Sequence, residues 1–263
     1  MRARSAALAT AAAGALILTS CSSGESVDLG GSSGAPAQGA VLRAAIGGEP
    51  DQLDPHRTSS YFSFQVLENV FDTLVEPDEN LEMQPALAES WTVSDDQLTW
   101  TFELRDGVTF HDGSAFTADD VVYSYDRIVD EELANAWKFA AVTDVVAVDE
   151  DTVTITVAQP TPNLLSNLGG FKGMAIVSEE NVTSGDIQTK PIGTGPFKVD
   201  SVVSGDSITL TANADYWGGA PALGGVTFSF ISEPATALAA LRSGEGDWTD
   251  VVPDQQVAEL QED

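Results

Sequence analysis

The sequence predicts an α/β fold in which antiparallel hairpins fill the middle of the chain and a parallel strand–helix–strand unit closes it. Three observations carry that expectation. Between residues 91 and 110 the apolar residues recur with period two. Trp100, Phe102 and Leu104 alternate with Thr99, Thr101 and Glu103, as on a strand with one buried and one wet face. Two further stretches, 144–158 and 197–212, read as hairpins that turn at Asp149-Glu150-Asp151 and at Gly205-Asp206. Last, GVTFSFIS at 225–232, a helix over Ala235–Arg242 and GDWTDVV at 246–252 succeed one another closely enough to form a βαβ crossover with parallel strands.

In chain order, VLRAAIGG at 41–48 is a short apolar strand ended by glycines, and the two prolines of the following GEPDQLDPHRTSSY keep that segment an extended loop. Leu67, Val70, Phe71 and Leu74 stand at helical spacing and predict a helix over 62–74. Asp106-Gly107 and Asp112-Gly113 are turns on either side of Val108–Phe110. Thr117-Ala118-Asp119-Asp120 is a capping-box-like start, with acids at the positive end of a helix running to Ile128. Gly193-Thr194-Gly195 reads as a tight turn that needs small residues. Glu233-Pro234 opens the last helix with proline at a tolerated position, and Gly244 stops it. Trp91, Trp100 and Trp217 are expected in the core or in inter-strand packing, and Trp248, inside its strand, in the core. The hairpins mark a subregion at roughly 76–185 inside one lobe that begins at residue 41.

The N-terminus has a different character. Arg2 and Arg4 precede an Ala/Leu/Ile-rich run from Ser5 to Leu18, and no acid occurs before Glu25. A basic start, a short apolar run and small residues at its end describe a secretory signal peptide over residues 1–20. The run is too short and too rich in alanine to span about 30 Å of hydrocarbon as a permanent anchor. Leu18-Thr19-Ser20-Cys21 is similar to the bacterial lipobox, whose cysteine is acylated and becomes the mature N-terminus. Cys21 is the single cysteine of the chain, and an odd thiol in a secreted protein calls for a special role. Stable anchoring takes two acyl chains or more. The competing reading is a plain secreted protein with an oxidisable thiol. Residues 21–40 then form a lipidated N-terminus and a flexible Gly/Ser/Ala/Pro tether. Gly30-Gly31-Ser32-Ser33-Gly34 matches the G-x-S-x-G pattern of serine hydrolases, but that pattern has meaning only between a strand and a helix.

The chain carries 11 Lys+Arg against 41 Asp+Glu, a net charge of −30. Removing residues 1–20, with two arginines and no acid, takes it to −32. Such a balance argues against nucleic acid and against an electrostatic hold on anionic lipid, and names no ligand. With 43% hydrophobic residues the chain buries a sizeable core. His56 and His111 are its two histidines, too few for a ligand cluster with metal spacing, and no cofactor is expected. His111-Asp112-Gly113 has the spacing of a tight turn.

The stretch PALAESWTVSDDQLTWTFELRDGVTFHDGSAFTADDVVYSYDRI, at 85–128, resembles the peptide/nickel class (family 5) of extracytoplasmic solute-binding proteins that serve ABC importers. EPDQLDP at 49–55, PIGTGPF at 191–197, NADYWGG at 213–219 and ALRSGEGDW at 240–248 match in order, so the likeness covers nearly all of 41–252. It implies a type II periplasmic-binding-protein-like fold of two lobes, of which this chain carries the first and stops before the second. It also implies that the loops after the first and last strands face an interlobe cleft. There Ser59, Ser60 and Tyr61, with Asp250 and Val252, are the candidate ligand residues, offering hydroxyls, a phenol and backbone groups to a peptide main chain. For Ser59 and Ser60 ordinary loop solvation is the competing reading. The implied partners are a peptide, the permease subunits with their cytoplasmic ATPase, and the membrane through Cys21, on its extracytoplasmic face. Within the family, nickel chelates and oligosaccharides are alternative ligands. An extracellular hydrolase working through carboxylates, and a sensor lipoprotein that kept the fold, are the readings from other classes. No catalytic residue is expected.

Overall fold

The computed structural model describes residues 39–253 and Gln256. The expected signal peptide, Cys21 and nearly all of the tether lie outside the described residues. The fold begins two residues before the expected strand. Gly39 donates its N–H to Ala222 O at 3.0 Å, and Gly224 donates to Ala40 O at 2.8 Å.

Eleven strands and five α-helices follow among the described residues. β1 (Val41–Ile46) leads through the expected loop into α1 (Tyr61–Leu67). β2 (Val75–Pro77) and β3 (Met83–Pro85) form a small hairpin. β4 (Ala88–Val93), β5 (Thr99–Leu104), β6 (Val142–Ala147) and β7 (Thr152–Val157) make an antiparallel sheet in the order β4-β5-β7-β6. α2 (Ala118–Asp130) lies between β5 and β6 in sequence, and its start is as expected. The Asp120 carboxylate accepts the backbone N–H of Thr117 at 2.9 Å. α3 (Leu164–Gly169) and α4 (Glu179–Thr183) lead to β8 (Phe197–Val203) and β9 (Ser207–Ala212). β10 (Gly225–Phe230), α5 (Pro234–Ser243) and β11 (Trp248–Thr249) close the described chain. Gly244, at φ 73°, caps α5 in the left-handed region, where a side chain is disfavoured.

The first sheet has the order β11-β1-β10-β9-β8. β10 and β11 are parallel as the βαβ reading requires, but they do not touch. β1 lies between them, parallel to both. β11 is much shorter than the expected 246–252.

The helix expected over 62–74 ends at Leu67. The carbonyls that would continue it are used elsewhere. Asn69 O accepts from Phe197 N at 2.9 Å, and Val70 O accepts from Gly195 N at 3.0 Å. Val70, Phe71 and Leu74 are fully buried all the same, so their spacing reported burial correctly and helix extent wrongly.

Two cores result. Phe102, Tyr125, Val153, Ile155, Leu164 and Leu168 belong to the one beneath the antiparallel sheet, and Trp91 and Trp217 pack against it. Ile46, Val66, Phe71, Val177 and Leu210 belong to the one beneath the first sheet. Between them sits Asp72, 1% exposed. It accepts hydrogen bonds from Thr194 Oγ1 and Trp217 Nε1, both at 2.8 Å. Burial lifts its carboxyl above the usual range, against the pull of Lys172 and of the Trp217 bond. Gly193 and Gly195 are explained by close approach. A Cβ on Gly193 would stand 2.0 Å from Val70 O, and one on Gly195 2.6 Å from Val70 C.

Candidate ligand-binding site

The parallel strands of an open sheet gather their following loops at one end, which is where ligands enter such folds. Here that end holds Gly47 and Gly48 after β1, the start of α1, and the residues after β11. Gly47 is hemmed in from both sides: a Cβ there would stand 3.2 Å from the Phe62 ring and 3.2 Å from the Val251 side chain. The two loops that the sequence pairs do meet, through a residue the sequence analysis did not single out. Gln65 Nε2 donates to Asp250 Oδ2 at 2.8 Å and to the Tyr61 hydroxyl at 3.4 Å. Its Oε1 is buried without a hydrogen-bond partner, an acceptor left over for a donor. Gln65 stands four residues after Tyr61 on α1, and that i, i+4 spacing was the available signal.

Ser59 is exposed, Ser60 is the half-exposed N-cap of α1, and Tyr61 is 65% exposed. Their presentation is fixed from behind. Asp51 Oδ1 accepts the hydroxyls of Thr58 at 2.6 Å and Ser63 at 2.7 Å, and Thr58 Oγ1 accepts the N–H of Ser60 at 3.0 Å. Burial works against the charge of Asp51, but the bonds from Thr58 and Ser63 outweigh it and hold the carboxyl below its usual range. Asp250 is exposed and Val252 half-buried. It is Val251, rather than Val252, that approaches the end of β1.

Trp248 corrects an expectation. It is 43% exposed rather than core, on a two-residue strand at the edge of the sheet formed by the described residues. With Tyr61, Phe64, Gln65 and Phe228 it lines a concave groove of about 360 Å³ between α1 and the sheet.

The base of the loop is pinned to α2. Arg127 donates to both carboxylate oxygens of Asp54, at 3.1 and 2.5 Å, and to His56 Nδ1 at 3.0 Å. His56 is fully buried and its Nε2 meets Ala175 O at 2.8 Å. Burial, with Arg127 beside it, pushes the imidazole down to about 4. Neutral His56 therefore accepts from Arg127 and donates to Ala175. His111 does similar work at the seam. Gly193 N–H donates to its Nδ1 at 3.3 Å, which leaves Nε2–H for Gly195 O at 2.9 Å. Burial pushes His111 down to about 4 as well. Both imidazoles are spent on backbone and on Arg127.

Comparison with known proteins settles the class. Residues 82–263 match the model of the bacterial extracellular solute-binding proteins, family 5. The chain belongs to that family. A putative ABC transporter peptide-binding protein of Brucella ovis is 34% identical over 212 residues, which are 77% of this chain and 40% of that relative. The solved structure of the DppA periplasmic binding protein of Helicobacter pylori, in complex with the peptide STSA, superposes with a TM-score of 0.78 at 30% identity. It covers 86% of this chain and 49% of that one. The MoaA binding protein of A. tumefaciens R10, in complex with mannopinic acid, gives 0.76 at 35% identity, over 80% and 44%. This family-5 chain thus has the type II periplasmic-binding-protein fold and spans less than half the length of the relatives it matches. Among its described residues no helix is long and apolar enough to cross a membrane.

Proposed function

We propose that the protein captures short peptides outside the cell and delivers them to the permease of an ABC importer, held to the membrane by lipid on Cys21. The observation that carries the ligand reading is the meeting of the Ser59–Tyr61 and Asp250–Val252 segments at the carboxyl end of β1 and β11, tied by Gln65. Exposed hydroxyls and the unpaired Gln65 Oε1 there suit an extended main chain, which needs donors and acceptors in alternation. The peptide-binding relatives support the same reading, and the lipobox-like LTSC supports the anchor.

The described residues form one lobe, and the resemblance implies a ligand enclosed between two. Ligand sites normally bury about 70–90% of the ligand surface. A half-site leaves much of the peptide in water, where solvent competes for each hydrogen bond. Calorimetry of this 263-residue chain against a peptide library is expected to show weak binding or none, while a chain extended to the length of its relatives binds tightly and retains peptide through purification, read by mass spectrometry. Micromolar binding by this chain alone would show that one lobe is a complete site. A non-peptide ligand is the second reading, favoured by the mannopinic acid complex of a protein 35% identical to this one. A retained non-peptide ligand in place of a peptide would establish it. Cys21→Ala is expected to release the protein from the membrane fraction; unchanged processing and retention would remove the anchor from the proposal.

A further inference from the structure

In a chain with nearly four acids for every base, a cation easily finds a carboxylate. Among the described residues Arg43, Arg57, Arg105, Arg127 and Lys172 each do so, and Lys138 stands over the rings of Trp137 and Phe171. Lys190 and Lys198 are different. Neither ammonium reaches a carboxylate among the described residues, and both line one concave pocket of about 170 Å³. Pro191, Ile192 and Val199 give the lining its apolar part, and His111 and Asp112 complete it.

The Lys198 side of the pocket is preorganised, while Lys190 is exposed. Lys198 Nζ donates one bond to His111 O at 3.1 Å, which fixes the ammonium and leaves two of its donors. The His111 ring is held by the backbone of Gly193 and Gly195, so this wall is rigid. Asp112, the one acid on the lining, is turned to its own loop, its Oδ1 taking the N–H and hydroxyl of Ser114 at 2.9 and 2.7 Å. Asp112 keeps its charge, so two lysines against one carboxylate leave the lining with one net positive charge within a strongly negative protein. A water's share of liquid is about 30 Å³, so the space takes a small oxyanion with a few waters.

The pocket is separate from the ligand-binding end of the sheet. Strand register places Lys198 beside Thr211, Thr211 beside Gly225, and Gly225 beside Val41. Lys198 is therefore level with the amino end of β1, while Ser59–Tyr61 and Asp250 gather beyond Ile46. Five residues of strand separate the two levels by roughly 17 Å, before the sideways displacement across three strands.

We propose that Lys190 and Lys198 form an anion site, selective for a small phosphate- or carboxylate-bearing group, at the opposite end of the first sheet from the peptide cleft. A second ligand or an acidic group of a docked partner delivers the same chemistry. The site stands or falls independently of what the cleft binds.

The test titrates the 263-residue chain with inorganic phosphate and, separately, with acetate. Chloride at matched ionic strength is the control, and the His111 ring and lysine Nζ signals are followed by NMR. Saturable shifts at His111 and Lys198 with phosphate or acetate, absent with chloride, are expected, and the stronger of the two identifies the group preferred. Lys190→Met and Lys198→Met should each weaken binding by about fivefold, and the pair should abolish it. Shifts that chloride reproduces, or that persist in the double variant, overturn the site. If Lys198→Met unfolds for want of its bond to His111, the exposed Lys190→Met decides alone: unchanged affinity there rejects the proposal.

Discussion

The two larger sheets of this lobe are built on opposite plans. The antiparallel sheet is local: β4 to β7 come from residues 88–157, and neighbours in space are mostly neighbours in sequence. Its inner face is sealed, with Phe102, Val153 and Ile155 at 0% exposure. The first sheet joins residues 41–46 to strands that begin only at residue 197, and its β11 edge leaves Trp248 half in solvent. The lesson is a division of labour. The sealed sheet has no loop at the candidate site and works as a brace, through Arg127 on α2. The open sheet, whose parallel strands send their loops to one end, carries every candidate ligand residue.

The comparison can be broken hardest at that brace. Arg127→Met leaves Asp54, 1% exposed, with only the 3.5 Å ion pair to half-exposed Arg57 and the His56 N–H, and should cost up to about 3–5 kcal/mol in urea unfolding. It should also loosen the 51–60 loop, read by faster amide exchange there. A loss below 1 kcal/mol would mean that the two regions are held by packing alone. Next, the sealed and open cores should answer differently to the same truncation. Phe102→Ala should cost about 3–5 kcal/mol, while Phe228→Ala, beside the groove, should cost distinctly less because water can fill the space it leaves. Equal losses would show that the groove is as well packed as the sealed face.

The seam is sharpened by pH. His111 titrates at about 4 in the folded chain against an ordinary 6.5. Because its folded value is depressed, its contribution to stability is present above about 6.5 and is lost as pH falls through 4. The loss should reach about 2–3 kcal/mol, and His111→Gln should flatten that part of the stability–pH curve. His56 acts in the same direction. Smallest is the site itself. Gln65→Ala removes the bond to Asp250 and the longer one to the Tyr61 hydroxyl, both at exposed positions, and should cost about 0.5–1.5 kcal/mol in stability. A large loss would make Gln65 a structural strut rather than a group kept for a ligand.

The local sheet was almost wholly legible. Alternation placed Trp100, Phe102 and Leu104 inward, and turn residues placed both later hairpins. The candidate site was legible in its loops, since Tyr61 and Asp250 do come together, and illegible in the residue that joins them. Gln65 looks like any polar position on a helix until the Asp250 loop, 185 residues away, is brought beside it.

By itself the sequence determined the hairpins, the cap at Thr117, the stop at Gly244 and the family. The first three are written in residues close together, where backbone sterics and hydrophobic alternation act without help from the rest of the chain, and the family in short motifs kept in order. Only the tertiary structure decided that β1 inserts between β10 and β11, that α1 stops at Leu67, and that Trp248 is half exposed. It alone showed that Lys190 and Lys198 share a pocket. The physical reason is the same throughout. A backbone carbonyl, a strand edge or a lysine takes whichever partner the completed fold offers, and most of those partners lie far off in the sequence, where no local pattern records them.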